Sequence, residues 1–212
     1  MIFRDRRDAG RRLAAALGSL RGRDCVVAAL VRGGVPVGAE VAAALDLPLE
    51  ILVVRKVGAP FSPEFGIGAV GEDGHVVANP GAVGLTGTSE EQFGRLAEAE
   101  MGEVRRRVHL YRGDRTHIPF DGRTVILVDD GLATGVSARA AIEIARRMGA
   151  QSIILAVPVG APDTVRELAT IADEVVCLQQ PPDFHAVGSW YDDFTQVSDE
   201  EVASVLEGSR SA

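Results

Sequence analysis

The 212-residue sequence contains one stretch that is more informative than the rest, TVILVDDGLATGVS at residues 124–137. It opens with an apolar run whose length is typical of a strand buried on both faces. Two adjacent acids follow, Asp129 and Asp130, and then a small, glycine-rich loop with hydroxyl side chains. The residues after this loop repeat apolar side chains at helical spacing. We therefore expect a buried strand, an acidic pair, a tight loop and a helix start, in that order.

The loop after the acidic pair predicts an anion-binding site. A loop that opens a helix presents unpaired backbone N–H groups and the positive end of the helix dipole. Thr134 and Ser137 add hydroxyl donors, and Gly135 allows the backbone to approach a ligand closely. An ordinary strand-to-helix turn with a serine cap would explain Ser137. It would not explain two adjacent acids at the end of a buried strand.

The acidic pair suits the part of a ligand that lies beside its anionic group. Two carboxylates do not bind an anion, but they bind sugar hydroxyls or a hydrated Mg2+ ion. A ligand with a phosphate at one end and a diol or a metal ion beside it is a ribose phosphate. The sequence therefore predicts that Asp129 and Asp130 face a sugar and that the following loop holds its phosphate.

Apolar runs and helical patterns alternate along most of the chain. This alternation predicts an α/β fold, an open, mostly parallel twisted sheet with helices on both faces. We expect a single domain over residues 1–212, with a core at about 20–178. Expected strands are residues 25–30, 49–54, 125–128, 152–157 and 174–178, and expected helices are residues 6–18, 36–45, 89–111 and 137–148, with a short helix after Pro162. Ser89 could cap the third of these helices, whose charged face is predicted to be solvated.

Two segments depart from this alternation. Residues 56–88 are rich in glycine, show no helical period and are expected to form a mobile loop with a short hairpin, whose arms are residues 65–70 and 75–78. Residues 179–205 contain two prolines and most of the aromatic side chains, and are expected to form a small C-terminal hood. This hood either packs its aromatic side chains onto the core or covers a ligand.

Composition excludes several classes of function. The formal net charge of −8 disfavours a surface for nucleic acid, which needs a basic footprint. No apolar run has the length of a membrane span, and the charged N-terminal residues do not form a secretory signal. Two distant cysteines favour a reducing compartment over a disulfide framework. We therefore expect a cytoplasmic protein with no nucleic-acid or membrane partner.

The residues after the first apolar run, Val31-Arg32-Gly33-Gly34, predict a second anion site. Ligands of open parallel sheets bind at the carboxyl ends of the strands, so this segment should face the same crevice as residues 129–137. A guanidinium group beside two glycines suits a doubly charged oxyanion. The alternative is a glycine turn with an exposed arginine.

Together, these two motifs resemble the type I phosphoribosyltransferase family. Its signature is four apolar residues, two acids and a short loop that ends in Thr-Gly-x-Ser/Thr. The resemblance implies a 5-phosphoribosyl-1-pyrophosphate (PRPP) donor, Mg2+ held mainly by substrate with help from Asp129 or Asp130, and a homodimer. It also implies that Asp129, Asp130 and Arg32 are the catalytic residues, that Ala133, Thr134, Gly135, Val136 and Ser137 bind the 5′-phosphate, and that Val31, Arg32, Gly33, Gly34 and Lys56 bind pyrophosphate.

The acceptor is less well defined by the resemblance. Ala133 stands where hypoxanthine/guanine-type members carry an aspartate, and Gly131 stands where the family usually has an aliphatic residue. Candidates for the general base are Glu64 and Glu72 of the loop. The hood resembles that of purine-type members and implies base contacts from Phe184, Trp190 and Asp192. A nitrogenous base, with a purine favoured, is the expected acceptor, and the alternative is a non-catalytic regulator that binds PRPP or a nucleotide.

Overall fold

The structure is a computed structural model that describes residues 2–113 and 115–208. Its strands are β1 (Cys25–Leu30), β2 (Leu49–Leu52), β3 (Val54–Ala59), β4 (Ser62–Gly71), β5 (Val76–Ala78), β6 (Thr124–Val128), β7 (Ser152–Val159) and β8 (Glu174–Gln179). Its helices are α1 (Arg6–Ala16), α2 (Gly34–Leu45), α3 (Pro80–Thr86), α4 (Glu90–Arg112), α5 (Val136–Arg147), α6 (Pro162–Leu168) and α7 (Asp199–Gly208). No helix among these residues has the length and apolar character needed to cross a membrane.

Five strands form the main sheet in the order β2-β1-β6-β7-β8, and every neighbouring pair is parallel. The chain runs from β1 outward to β2 and returns to the other side of β1 as β6. The strand order therefore changes direction between β1 and β6, which is where open α/β sheets bind ligands. The loops that follow these two strands are the two predicted anion sites.

Helices cover both faces of this sheet, as predicted. Along β1, Val27 and Ala29 pack in one apolar cluster with Leu13 of α1 and Val41 of α2. The intervening residues, such as Ala28, pack in a second cluster with helix α5. Because successive strand residues point to opposite faces, the fully buried strand β1 contributes side chains to the apolar cores on both faces of the sheet. The expected fold class is confirmed.

A second, antiparallel sheet has the order β3-β4-β5. The predicted hairpin is confirmed, with Val70 opposite Val76 and Ala69 opposite Val77. The strand predicted at residues 49–54 is wrong in extent, because β2 ends at Leu52 and the chain then joins β4 as β3. Apolar patterning could not reveal this break, since both sheets bury the same kind of side chain.

The expectation of a loop with a hairpin over residues 56–88 is incomplete, because helix α3 also lies within them. This helix has only seven residues and three of its side chains are missing or small, so no period is visible. Its ends are nevertheless marked in the sequence. Asn79 Oδ1 accepts a hydrogen bond from the N–H of Ala82, Pro80 occupies the first turn, and Gly87 is left-handed with φ 63°.

Helix α4 begins with the expected cap at Ser89, which forms a reciprocal capping box with Gln92. The helix extends one residue beyond the predicted end at residue 111, and this last residue, Arg112, is largely buried. The Arg112 guanidinium is 10% exposed and lies 2.8 Å from Glu72 Oε1 and 3.3 Å from Glu50 Oε1. Glu72 also accepts a hydrogen bond from the N–H of Val53. This buried network ties α4 to both sheets.

The network gives a prediction for the pH dependence of stability. Burial raises the pKa of Glu72 above its ordinary value of 4.5, and Arg112 only partly opposes this effect. The folded protein therefore binds more protons than the unfolded chain just above pH 4.5, so the free energy of unfolding should fall as pH rises through that window. Glu72→Gln should flatten this part of the curve, measured by urea unfolding across pH. Glu98→Gln, at an exposed position of α4, should leave the curve as in the wild type.

The hood joins the N-terminal residues. Phe3 forms a parallel β-bridge with Tyr191, the Phe3 N–H donates to the Trp190 carbonyl, and the Asp192 N–H donates to the Phe3 carbonyl, both at 2.8 Å. Aromatic side chains of the hood pack with Phe3 and Val159 in a third apolar cluster. Helix α7 then packs against α2 and α4. Tyr191 is thus buried in the core, and Phe184, Trp190 and Phe194 are partly buried against it.

Candidate active site

The two predicted anion loops are in contact at the carboxyl ends of β1 and β6. A Cβ atom added to Gly33 would overlap the Asp130 carboxylate, and one added to Gly34 would overlap the Val128 carbonyl. Only glycine lets these backbones approach so closely. The structure therefore brings the Arg-Gly-Gly segment and the acidic pair into one crevice.

The carboxylates of the acidic pair are poorly solvated. Burial raises the pKa of Asp129 well above its usual range, and the adjacent Asp130 raises it further. Burial also raises the pKa of Asp130, while the guanidinium of Arg6 acts in the opposite direction. The Asp130 N–H donates to Asp129 Oδ1 at 2.9 Å, which orients that side chain. Hydroxyl donors or a cation in the crevice would favour the ionised pair.

Two further residues contact Asp130 and were missed by sequence reasoning. Arg6 Nε donates to Asp130 Oδ2 at 2.8 Å, and the Tyr191 hydroxyl donates to the Asp130 carbonyl at 2.6 Å. Arg6 lies in an arginine-rich segment of an amphipathic helix, where charged side chains are normally solvated. Tyr191 lies among several hood aromatics, and nothing in the sequence marks which of them reaches the strand end.

The loop after the acidic pair is fixed by β7 and the residues that follow it. Leu132 donates to the Val159 carbonyl and accepts from the Ala161 N–H, both at 2.9 Å. The Thr164 hydroxyl donates to the Ala133 carbonyl at 2.7 Å. Gly135 is left-handed with φ 70°, and α5 starts at the next residue. The first N–H groups of α5 therefore lie at residues 136–138, where a phosphate would meet the helix dipole.

Arg32 is held from the other side of the crevice by helix α7. Its guanidinium lies 3.4 Å from Asp199 Oδ1, which also accepts a 2.5 Å hydrogen bond from the Tyr111 hydroxyl. Burial raises the pKa of Tyr111 to about 12, and the hydrogen bond to Asp199 is the second largest cause of this shift. The Arg32 side chain is 26% exposed and is therefore partly buried. The peptide between Val31 and Arg32 is cis.

An open cleft of about 540 Å³ lies between the β3–β4 hairpin and helix α4, and both anion loops reach it through Val31 and Ser137. Lys56 lines this cleft, and its Nζ donates to the Glu64 carbonyl at 2.8 Å. The Glu64 side chain is 98% exposed and also lines the cleft. Lys56 and Glu64 are thus both within the candidate site.

Glu72 does not lie in this cleft, and its candidacy as a general base is wrong. Its side chain is 5% exposed and is held by Arg112 at 2.8 Å. A residue fixed in a buried ion pair cannot move with a loop to meet a ligand. Sequence reasoning missed this because Glu72 follows a glycine-rich run that resembles a mobile loop.

The three predicted base contacts occupy different positions in the hood. Phe184 and Trp190 are partly buried against the third apolar cluster, and Asp192 is exposed. The Trp190 indole Nε1 is buried without a hydrogen-bond partner among the described residues. The hood side chain with a hydrogen bond to the acidic pair is instead Tyr191.

Comparison with known proteins places this geometry in a family. The profile of the phosphoribosyl transferase domain matches residues 4–195. The chain belongs to the phosphoribosyltransferase family. Its five-stranded parallel sheet with flanking helices is the α/β fold that the resemblance implied.

Similar proteins occur in bacteria. Curated proteins from two strains of Mycobacterium tuberculosis, provisionally named phosphoribosyl transferases, are each 48% identical over 206 residues. The match covers 97% of this chain and 46% of each relative, so the chain spans about half the length of these relatives. The crystal structure of TT1426 from Thermus thermophilus is 45% identical, with a TM-score of 0.84, and the match covers 97% of this chain and 98% of that one.

The site of this family member fits a metal ion that is held mostly by a ligand. The described residues contain no group of three or more histidine, cysteine or acidic side chains that could hold a metal ion. The acidic pair nevertheless offers carboxylate oxygens beside the predicted phosphate sites. Mg2+ commonly takes one or two carboxylates and completes its shell with phosphate oxygens and water. Asp129 and Asp130 are suitable for that role.

Proposed function

We propose that this chain transfers the 5-phosphoribosyl group from PRPP to a nitrogenous base, with release of pyrophosphate and with Mg2+ as cofactor. The observation that carries the proposal is the contact between Gly33 and the Asp130 carboxylate. It places a guanidinium-bearing loop, a carboxylate pair and a helix start around one crevice. PRPP presents a pyrophosphate, a ribose diol and a 5′-phosphate, which need these three kinds of partner.

Each part of the donor has a proposed partner. The backbone of residues 133–137 and the hydroxyls of Thr134 and Ser137 hold the 5′-phosphate. Asp129 and Asp130 accept hydrogen bonds from the ribose hydroxyls and stabilise positive charge that grows on the ring as the C1′–O bond breaks. Arg32, the N–H groups of Gly33 and Gly34, and Lys56 stabilise the departing pyrophosphate. A bound Mg2+ would neutralise charge on that leaving group.

The acceptor is proposed to be a purine that enters between the hood and the acidic pair. Phe184 and Trp190 are the proposed stacking partners, and Asp192 is a weaker polar candidate. The Ala133 side chain cannot exchange a proton with the base. Glu64 remains the proposed general base, because it is exposed in the cleft where Lys56 and the phosphate loops meet.

Pyrophosphate release tests this proposal. The purified protein is incubated with PRPP, Mg2+ and a panel of purine, pyrimidine and other nitrogenous bases, and released pyrophosphate is measured. At least one base should give turnover, and Ser137→Ala should lower kcat/KM about tenfold through loss of a phosphate hydrogen bond. The matched control is Ser152→Ala, at the amino end of β7.

Two other results would change the assignment. PRPP binding without turnover for any base would favour the regulatory alternative. Absence of both PRPP binding and turnover would refute the proposal. This chain matches only 46% of the length of its curated relatives. The proposed activity therefore refers to this chain and not to the longer relatives.

We also propose a cytoplasmic homodimer. Cys25 and Cys177 are both free, which is compatible with a reducing compartment. The dimer rests on the family resemblance, and sedimentation equilibrium would test it.

A further inference from the structure

Within the part of the chain that the structure describes, Arg6 is the residue outside the family motifs whose charged side chain contacts the acidic pair. Its Nε lies 2.8 Å from Asp130 Oδ2, and the two side chains are only 11% and 15% exposed. An ion pair this poorly solvated is stronger and more directional than a surface pair. The groups that face Asp130 are Arg6 from α1, Asp129 from the same strand end, Tyr191 from the hood and Gly33 from the Arg-Gly-Gly loop.

The position of Arg6 is itself fixed by the hood. Its guanidinium carbon lies 3.9 Å from the centroid of the Phe194 ring, and its Nη1 donates to the Thr195 carbonyl at 2.7 Å. The Phe194 ring packs against that of Tyr191, with centroids 5.0 Å apart. A planar guanidinium can stack on a ring while its separate nitrogens donate to different acceptors, a combination that the compact lysine ammonium does not reproduce.

The same two segments fix Asp130 at two points. Arg6 holds one carboxylate oxygen, and the Tyr191 hydroxyl holds the backbone carbonyl at 2.6 Å. The bridge between Phe3 and Tyr191 locks the segment before α1 onto the hood. A carboxylate has a second oxygen, so an Asp130 held through Oδ2 can still accept a hydrogen bond through Oδ1.

We propose that Arg6 is a positioning residue that orients the Asp130 carboxylate toward the ribose of the donor. The inference rests on the proposed function and extends it. It assigns the start of α1 and the hood a shared role, which is to hold Asp130 in the donor site. Arg6 acts through Asp130 and does not itself contact the ligand. Loss of Arg6 should therefore weaken recognition of the sugar and leave recognition of the pyrophosphate unchanged.

Binding of three donor fragments tests this inference without any acceptor. Calorimetry measures the affinity of wild type, Arg6→Gln and Arg6→Lys for PRPP with Mg2+, for ribose 5-phosphate, and for pyrophosphate with Mg2+. Arg6→Gln should weaken PRPP and ribose 5-phosphate about tenfold, a loss typical of one charge-assisted contact, with pyrophosphate unchanged. Arg6→Lys should recover part of the loss. Arg7→Gln is the matched control, since Arg7 is the next residue of α1 and pairs with Glu40 at a half-exposed position.

Each other outcome has a distinct meaning. Equal weakening of all three ligands by Arg6→Gln would show a general structural role and overturn the inference. Tighter binding would show that Arg6 blocks the acidic pair, which also overturns it. Unchanged affinities in a variant that folds would overturn it while leaving the proposed function intact. If the wild type binds none of the ligands, the proposed function fails and the inference fails with it.

Discussion

Replacement of both Asp129 and Asp130 by asparagine should weaken PRPP binding and lower turnover by about 10²–10³-fold. Asparagine keeps the shape of each side chain but removes the charge that the ribose hydroxyls and the developing positive charge require. The fold should survive, because burial disfavours the charge on Asp129 and because the amide oxygen of an asparagine at position 130 can still accept the hydrogen bond from Arg6 Nε. Calorimetry with PRPP and Mg2+ gives the affinity, and thermal unfolding gives the stability.

The matched control for this variant is Asp24→Asn. Asp24 is 79% exposed just before β1, at the opposite end of this strand from the crevice. It should bind PRPP as the wild type does. Unchanged donor affinity in the double variant, together with no pyrophosphate release by the wild type, would reject the phosphoribosyl transfer proposed above.

Arg112→Met should lower the free energy of unfolding by about 3–5 kcal/mol. The substitution keeps an unbranched chain but leaves the carboxylates of Glu50 and Glu72, which are 3% and 5% exposed, without their shared cation. Removal of one partner from a buried ion pair is far more destabilising than loss of a surface pair. Urea denaturation at neutral pH measures the change, which should shrink at lower pH as a carboxyl takes up a proton.

The control for Arg112→Met lies on the same helix. Arg95 is 64% exposed and pairs with Glu91 one turn earlier, so Arg95→Met should change stability by about 0.5 kcal/mol or less. Equal effects of the two substitutions would contradict the interpretation that α4 is joined to both sheets through a buried charge network.

The main sheet was predictable because its central strands are buried on both faces. The runs at Cys25–Leu30 and Thr124–Val128 show this burial as uninterrupted apolar sequence, and their order relative to the helices fixes a parallel arrangement. The break at Val53 was not predictable, because a change of sheet does not alter hydrophobicity. Helix α3 could be found only from its caps, since seven residues are too few to show a period.

The candidate site was predictable where its chemistry is local in sequence. Residues 129–137 and 31–34 each carry their own signature, and the strand order brings them together. Their roles stay predictions. The contacts of Arg6 and Asp199 were not predictable, because each spans more than one hundred residues and involves a charge that resembles any solvated surface charge. Such long-range ion pairs depend on the tertiary structure and produce no local sequence pattern.

The close approach of Gly131 to the hood has a consequence for related sequences. A Cβ atom at position 131 would lie 2.6 Å from Val187 Cγ1 and 3.1 Å from the Val159 carbonyl. The space between positions 131 and 187 therefore has room for only one aliphatic side chain. Among relatives with this hood, the two positions should covary: an aliphatic residue at 131 should accompany a smaller residue at 187 or a displaced hood. The residues at positions 131 and 187 would then together set the distance between the donor loop and the hood. Relatives with smaller residues at these two positions should accept larger acceptors.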